Sequence, residues 1–249
     1  SLCAAARAEI RAVPPPFRRH PRVPIAMHAP AAIRAVLFDL DGTLLDSIPD
    51  LSEACHRMML ELGRTPHDIE VIRTFVGKGM LNLVRRCLEA GGGADEAEFN
   101  AAVDAFRRHY AVVNGDCTEV YAGVVPALAA LAGRGVAMAC VTNKPAAFTG
   151  PLLERTGLAP YFAVTVSGDT LADKKPHPAP LLHACERLGV AVGEALMVGD
   201  SANDAEAARA AGMPVLLVTY GYSEGVPVDS IECDGLLSSL VEMLPHIGP

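Results

Sequence analysis

The chain has 249 residues, 51% of them hydrophobic, and a formal net charge of −8. That length and composition allow a substantial buried core and exclude extended disorder. The acidic balance argues against nucleic acid and anionic membranes as partners, because both repel a negative surface, and no apolar run approaches the ~18 residues that cross a bilayer.

Residues 1–32 differ in composition from the rest of the chain. They carry Arg7, Arg11, Arg18, Arg19 and Arg22, the block Pro14-Pro15-Pro16, and one acid, Glu9. The segment reads as a basic, non-essential extension ahead of a start at Met27, without the apolar stretch of a secretory signal. The seven cysteines are scattered and form no C-x-x-C pair. They read as reduced thiols of a soluble, cytoplasmic protein, not as a zinc site or redox dithiol.

From residue 33 short apolar runs alternate with helical spacing. Strands are expected at 35–38, 136–141, 163–166, 195–198 and 215–218, and helices at 124–132, 178–188 and 204–211. Near-continuous apolar strands are buried on both faces, so the pattern predicts an α/β fold: a Rossmann-like, doubly wound parallel sheet between helices. Residues 48–118 interrupt the alternation. Apolar residues at three- and four-residue spacing predict helices at 51–62, 68–75, 80–90 and 95–110, with Pro49 and Tyr121-Ala122-Gly123 placed to act as hinges. The expected organisation is a discontinuous catalytic core, 33–47 and 119–249, with a helical cap, 48–118, inserted after the first strand.

In an open doubly wound sheet the ligand lies beyond the carboxyl ends of the strands. Past the first predicted strand stand Asp39 and Asp41. The second is followed by Thr142-Asn143-Lys144, the third by Asp173-Lys174-Lys175, and the fourth by Gly199-Asp200-Ser201. Any one of these polar residues is explained by a helix cap or a solvated surface; four at one rim point to a site. Asp39, Asp41, Asp200 and Asp204 converging on a small volume repel one another, so a cation belongs among them. Hard carboxylate oxygens with room for phosphate suit Mg2+. Lys175 adds a second positive charge, and the hydroxyl and amide of Thr142 can bind phosphate oxygens.

Asp39-x-Asp41-Gly42-Thr43, Thr142, Lys175-Pro176-His177-Pro178 and Gly199-Asp200-Ser201-x-Asn203-Asp204 resemble, in order and spacing, the four motifs of the haloacid dehalogenase-like phosphohydrolases. Within that superfamily TFVGKGM, TNKP, KKPHP, LMVGDSANDAEAARAAG and TYGY are similar to bacterial phosphoglycolate phosphatases. The resemblance implies a Mg2+-dependent phosphomonoesterase acting on a small phosphorylated metabolite, 2-phosphoglycolate first, as a monomer or homodimer. It implies that Asp39 is the nucleophile and forms an aspartyl-phosphate. Asp41 is then the acid and base, and Thr142 and Lys175 hold the phosphoryl group. The metal is held by Asp39, the Asp41 carbonyl and Asp200, with Asp204 ordering the shell around it. Thr43, Asn143, Gly77 and Lys78 are the expected substrate contacts. Lys78 either reaches a substrate carboxylate from the cap or is a solvated lysine in a turn between helices. Other small phosphate esters, a phosphosugar mutase and a non-catalytic phosphate-binding regulator are the alternatives, the last disfavoured by the intact acidic set.

Overall fold

Four consecutive apolar residues, Ala35–Phe38, form strand β1, and all four are fully buried, as a strand covered on both faces must be. This computed structural model describes residues 33–247; the basic extension 1–32 and the start at Met27 lie outside the described residues. The other strands are β2 (Leu45–Asp46), β3 (Glu119–Val120), β4 (Ala137–Val141), β5 (Val164–Val166), β6 (Ala195–Gly199), β7 (Val215–Val218) and β8 (Gly235–Leu237). The helices are α1 (Ile48–Glu61), α2 (Ile69–Arg73), α3 (Met80–Ala90), α4 (Glu96–Val113), α5 (Val124–Gly133), α6 (Ala146–Arg155), α7 (Ala179–Leu188) and α8 (Ala202–Ala211).

Six strands make one sheet in the order β5-β4-β1-β6-β7-β8, and every pairing in it is parallel. Side chains alternate across β1: Val36 and Phe38 join one core cluster with Leu128 of α5 and Leu240, while Ala35 and Leu37 join another with Leu181 of α7 and Ala208 of α8. The sheet therefore has helices on both faces, as the continuous apolar strands required. β1 lies between β4 and β6, so its carboxyl end is a point where the winding of the chain reverses and a crevice opens.

The helical insert α1 to α4 is built around its own buried cluster, including Met58, Leu83, Val84, Phe106 and Tyr110, to which Phe148 and Tyr222 are added from outside it. Pro49 is the second residue of α1, where its missing N–H costs no hydrogen bond. The chain enters and leaves the insert through a short antiparallel ribbon, in which Leu45 pairs with Val120 and Asp46 with Glu119. The buried Asp50 carboxylate ties this crossing together. It accepts hydrogen bonds from the N–H groups of Gly115 (2.9 Å), Cys117 (2.8 Å) and Thr118 (3.0 Å) and from the Thr118 hydroxyl (2.5 Å).

Five cysteines, 55, 87, 140, 185 and 233, are free. Among the described residues no helix is long and apolar enough to cross a membrane.

Candidate active site

Asp39 is the first residue past β1, and its N–H still bonds the Val198 carbonyl of β6 at 3.0 Å. The sheet thus fixes its backbone, and its side chain faces out of the strand end. Asp39 Oδ1 accepts from the Leu40 N–H at 2.7 Å and lies 2.9 Å from Lys175 Nζ. The same Nζ donates to Asp204 Oδ1 at 2.7 Å. Lys175 is almost wholly buried, so its ammonium depends on these two carboxylates for its stability. Burial works against its charge, but Asp204 and Asp39 outweigh that and lift its pKa above the ordinary lysine value.

Asp204 stands in the first turn of α8 and is fully buried. Its Oδ2 reaches back to the N–H groups of Asp200 (3.2 Å) and Ser201 (3.1 Å) and to the Ser201 hydroxyl (3.0 Å). These are donors that the start of a helix otherwise leaves unpaired. Asp200 is the first residue past β6. Its Oδ2 accepts from the N–H groups of Tyr222 (2.7 Å) and Ser223 (3.3 Å), and its Oδ1 from the Thr43 hydroxyl at 3.3 Å. Two glycines leave space for it. A Cβ at Gly42, whose φ is +87°, would fall 2.3 Å from Asp200 Oδ2, and one at Gly221 would fall 2.2 Å from Asp200 Cβ.

Asp39, Asp200 and Asp204 each offer an oxygen, all within 4.8 Å of one another. Burial pushes the Asp39 carboxyl up to about 7; Lys175 pulls it down and Asp204 pushes it up further. Burial also raises Asp200 well above the usual carboxylate range, and the charges of Asp204 and Asp39 add to the effect. With Asp41, four carboxylates face two lysines, Lys175 and Lys144. Two negative charges are left without a counterion, the deficit that a divalent cation fills.

Asp41 points away from this group toward the insert. It accepts from the Ser47 hydroxyl at 2.5 Å and takes both its oxygens to within 3.0 and 2.9 Å of Lys144 Nζ. Ser47 immediately precedes α1, and its N–H donates to the Tyr222 hydroxyl at 2.7 Å. Tyr222 thus connects Asp200, through its N–H, with the entrance to the insert, through its ring. A cavity of about 40 Å³ lies between the strand ends and the insert. Asp39, Asp41, Thr142, Asn143, Lys144 and Gly77 line its polar side. Leu51, Met80, Leu83, Phe106, Tyr110 and Phe148 are among the residues that line the rest.

Thr142, expected to hold the phosphoryl group, lines the cavity. The expected substrate contacts divide: Asn143 and Gly77 line the cavity, and Asn143 Nδ2 donates to the Gly77 carbonyl (3.0 Å) and the Lys175 carbonyl (2.9 Å). Thr43 is buried behind Asp200 and holds it. Lys78 does not line the cavity: its half-exposed side chain lies with Nζ 3.3 Å from Glu224 Oε2. The sequence put Lys144 at the rim and Tyr222 in TYGY, but gave no individual role to either or to Ser47. Lys144 carried a signal in standing two residues past Thr142 at a strand end, but a lysine there reads equally well as surface.

A family model described as haloacid dehalogenase-like hydrolase matches residues 33–212. The chain is 48% identical over 215 residues to a phosphoglycolate phosphatase of Thiobacillus denitrificans, covering 86% of this chain and 95% of that protein. It is 47% identical over 218 residues to one of Nitrosospira multiformis, covering 87% and 96%. A crystal structure described as a predicted phosphoglycolate phosphatase from Haemophilus somnus superposes with a TM-score of 0.83 at 30% identity, covering 87% of this chain and 98% of that one.

Proposed function

Because this chain belongs to the haloacid dehalogenase-like hydrolases, we propose that it is a Mg2+-dependent phosphomonoesterase that hydrolyses 2-phosphoglycolate to glycolate and phosphate, acting in the cytoplasm. The observation that carries the reading is Asp39: a carboxylate fixed at the end of the central strand, 2.9 Å from a buried lysine, and facing a cavity covered by the insert. The substrate rests on the relatives named phosphoglycolate phosphatase, which match nearly the whole of the described chain.

The carboxylates at the strand ends fit a hard divalent cation in number and in uncompensated charge. Asp39, Asp200 and the Asp41 main-chain carbonyl would hold Mg2+. Asp204, whose oxygens are already taken by Lys175 and by N–H groups, would order the surroundings. When bound, the ion lowers the repulsion between the phosphate and the acidic rim and draws charge from the phosphoryl oxygens.

The protein's own groups carry the steps. Asp39 attacks phosphorus, and the alkoxide leaves with a proton from Asp41, so an aspartyl-phosphate forms on Asp39. Asp41 then takes a proton from water, which attacks the same phosphorus and frees Asp39. Lys175 and the Thr142 hydroxyl bind the phosphoryl oxygens, supplying the positioning and charge stabilisation on which phosphoryl transfer depends. The insert acts as a cap, held to the core by Asn143 at Gly77, and keeps bulk water from the phosphorylated aspartate.

The test is a panel of phosphate esters ranked by kcat/KM, with products identified. 2-Phosphoglycolate should head the panel with release of inorganic phosphate. A sugar phosphate at its head, or an isomerised phosphosugar as product, would replace this reading with the corresponding phosphatase or mutase.

A further inference from the structure

Phosphoglycolate differs from an ordinary alkyl phosphate by a carboxylate, and an apolar enclosure accepts a carboxylate only where a cation or several donors meet it. Among the described residues lining the cavity, Lys144 is the one with a cationic side chain. Its side chain is 3% exposed, its Nζ holds both oxygens of Asp41, and the same Nζ lies 4.9 Å from the centre of the Tyr110 ring. Lys78, the cation that the sequence offered for this purpose, is engaged with Glu224 outside the cavity.

A second feature stands beside Lys144. The Tyr110 hydroxyl is buried against Lys144 and donates to no acceptor, although a buried hydroxyl proton without an acceptor is costly. Tyr110 comes from α4 of the insert, and Lys144 from the loop after β4. Core and insert therefore each contribute a donor to the same corner of the cavity, one already paired with Asp41 and one without an acceptor.

The chemistry of the substrate places its carboxylate there. One methylene separates the ester oxygen from the carboxylate carbon, and with bonds near 1.5 Å these two atoms are about 2.4 Å apart. The ester oxygen must face Asp41 to receive a proton, so the carboxylate lies next to Asp41, within reach of the ammonium that Asp41 now holds.

We propose that Lys144, with the Tyr110 hydroxyl beside it, is the receptor for the substrate carboxylate and thereby the specificity-determining residue of this site. The assignment rests on phosphoglycolate being the substrate, and the test separates the two claims. It compares kcat/KM for 2-phosphoglycolate and for ethyl phosphate, which has a methyl group in place of the carboxylate. The wild-type protein should prefer phosphoglycolate. In Lys144→Met the preference should fall by ~10- to 100-fold, the effect of one lost charge-assisted hydrogen bond, and chiefly through KM. Tyr110→Phe should reduce it by a smaller factor, ~3- to 10-fold, as for a neutral donor. An equal loss on both esters in Lys144→Met would mean that Lys144 acts only by positioning Asp41, and would overturn the proposal. If Lys144→Met fails to fold in a thermal melt, Lys144→Gln, which keeps a donor toward Asp41 without the charge, decides by the same comparison. A wild-type protein that turns over the two esters equally would instead refute the substrate reading.

Discussion

Asp50→Ala removes the acceptor that binds the return segment of the insert to its first helix. Four hydrogen bonds end on this carboxylate, two backbone N–H groups and the Thr118 hydroxyl on Oδ2 and the Cys117 N–H on Oδ1. At ~1.5–3 kcal/mol for a bond to a charged group, the four would sum to ~6–12 kcal/mol. The donors on Gly115, Cys117 and Thr118 are only half-buried, so water takes over much of this when the carboxylate is lost, and removing the side chain also removes the cost of burying its charge. A net loss of about 3 kcal/mol remains, equivalent to a fall in Tm of about 6–12 °C for a chain of this size. Calorimetry measures it. Asp50→Asn is the sharper variant. Its amide nitrogen must face either the Cys117 N–H or the Gly115 and Thr118 donors, so donor meets donor in both orientations, and the loss should approach that of alanine. An asparagine variant within about 1 kcal/mol of wild type would overturn this account, since shape without charge would then suffice.

Asp39→Asn keeps the shape at the end of β1 but not the nucleophile, and turnover of any phosphate ester should drop at least ~10³-fold in a steady-state assay; near-normal rates would exclude the covalent route. Treatment with EDTA should abolish activity, with Mg2+ restoring it and Ca2+ failing, because looser and higher coordination misplaces the phosphoryl group. Independently of activity, Mg2+ at 100 times its dissociation constant should stabilise the wild-type protein by ~2.7 kcal/mol in a thermal melt, and this gain should vanish in Asp200→Asn. Lys78→Ala removes an ion pair whose lysine is half-exposed, which contributes ~1 kcal/mol at most; kcat/KM should change less than about threefold, and equally for phosphoglycolate and p-nitrophenyl phosphate. A loss confined to phosphoglycolate would return the carboxylate contact to Lys78.

The strands of the central sheet were legible because burial on both faces leaves no choice of residue: Ala35–Phe38 and Val215–Val218 are apolar at every position and run as expected. β8 was not, since a three-residue strand at the sheet edge, beginning with glycine, carries no period. Helix α6 was hidden by Gly150 and Pro151 inside it, residues that local propensity reads as breaks. Asp39, Asp41, Lys175 and Asp200 stood out because they follow strands, and position along the chain was enough to bring them to one rim. For Lys144 and Lys78 it was not. Lys144 is buried against the Tyr110 ring and paired with Asp41, and Lys78 is paired with Glu224; both outcomes depend on residues that are distant in the chain, which spacing does not reveal.

The placement of the insert has a consequence for the order in which the molecule takes shape. Ala35 of the central strand pairs with Ala137 on one side and Ala195 on the other, so the sheet cannot close until most of the chain exists. Loops of that length cost entropy before any contact offsets it. The insert is one continuous stretch, and its buried cluster is complete but for Phe148 and Tyr222, so its helices can condense locally as the chain emerges from the ribosome. On that physical logic the helices that cover the site form before the site. The carboxylates at the ends of β1 and β6 meet late, when the repulsion between them is already balanced by a packed sheet.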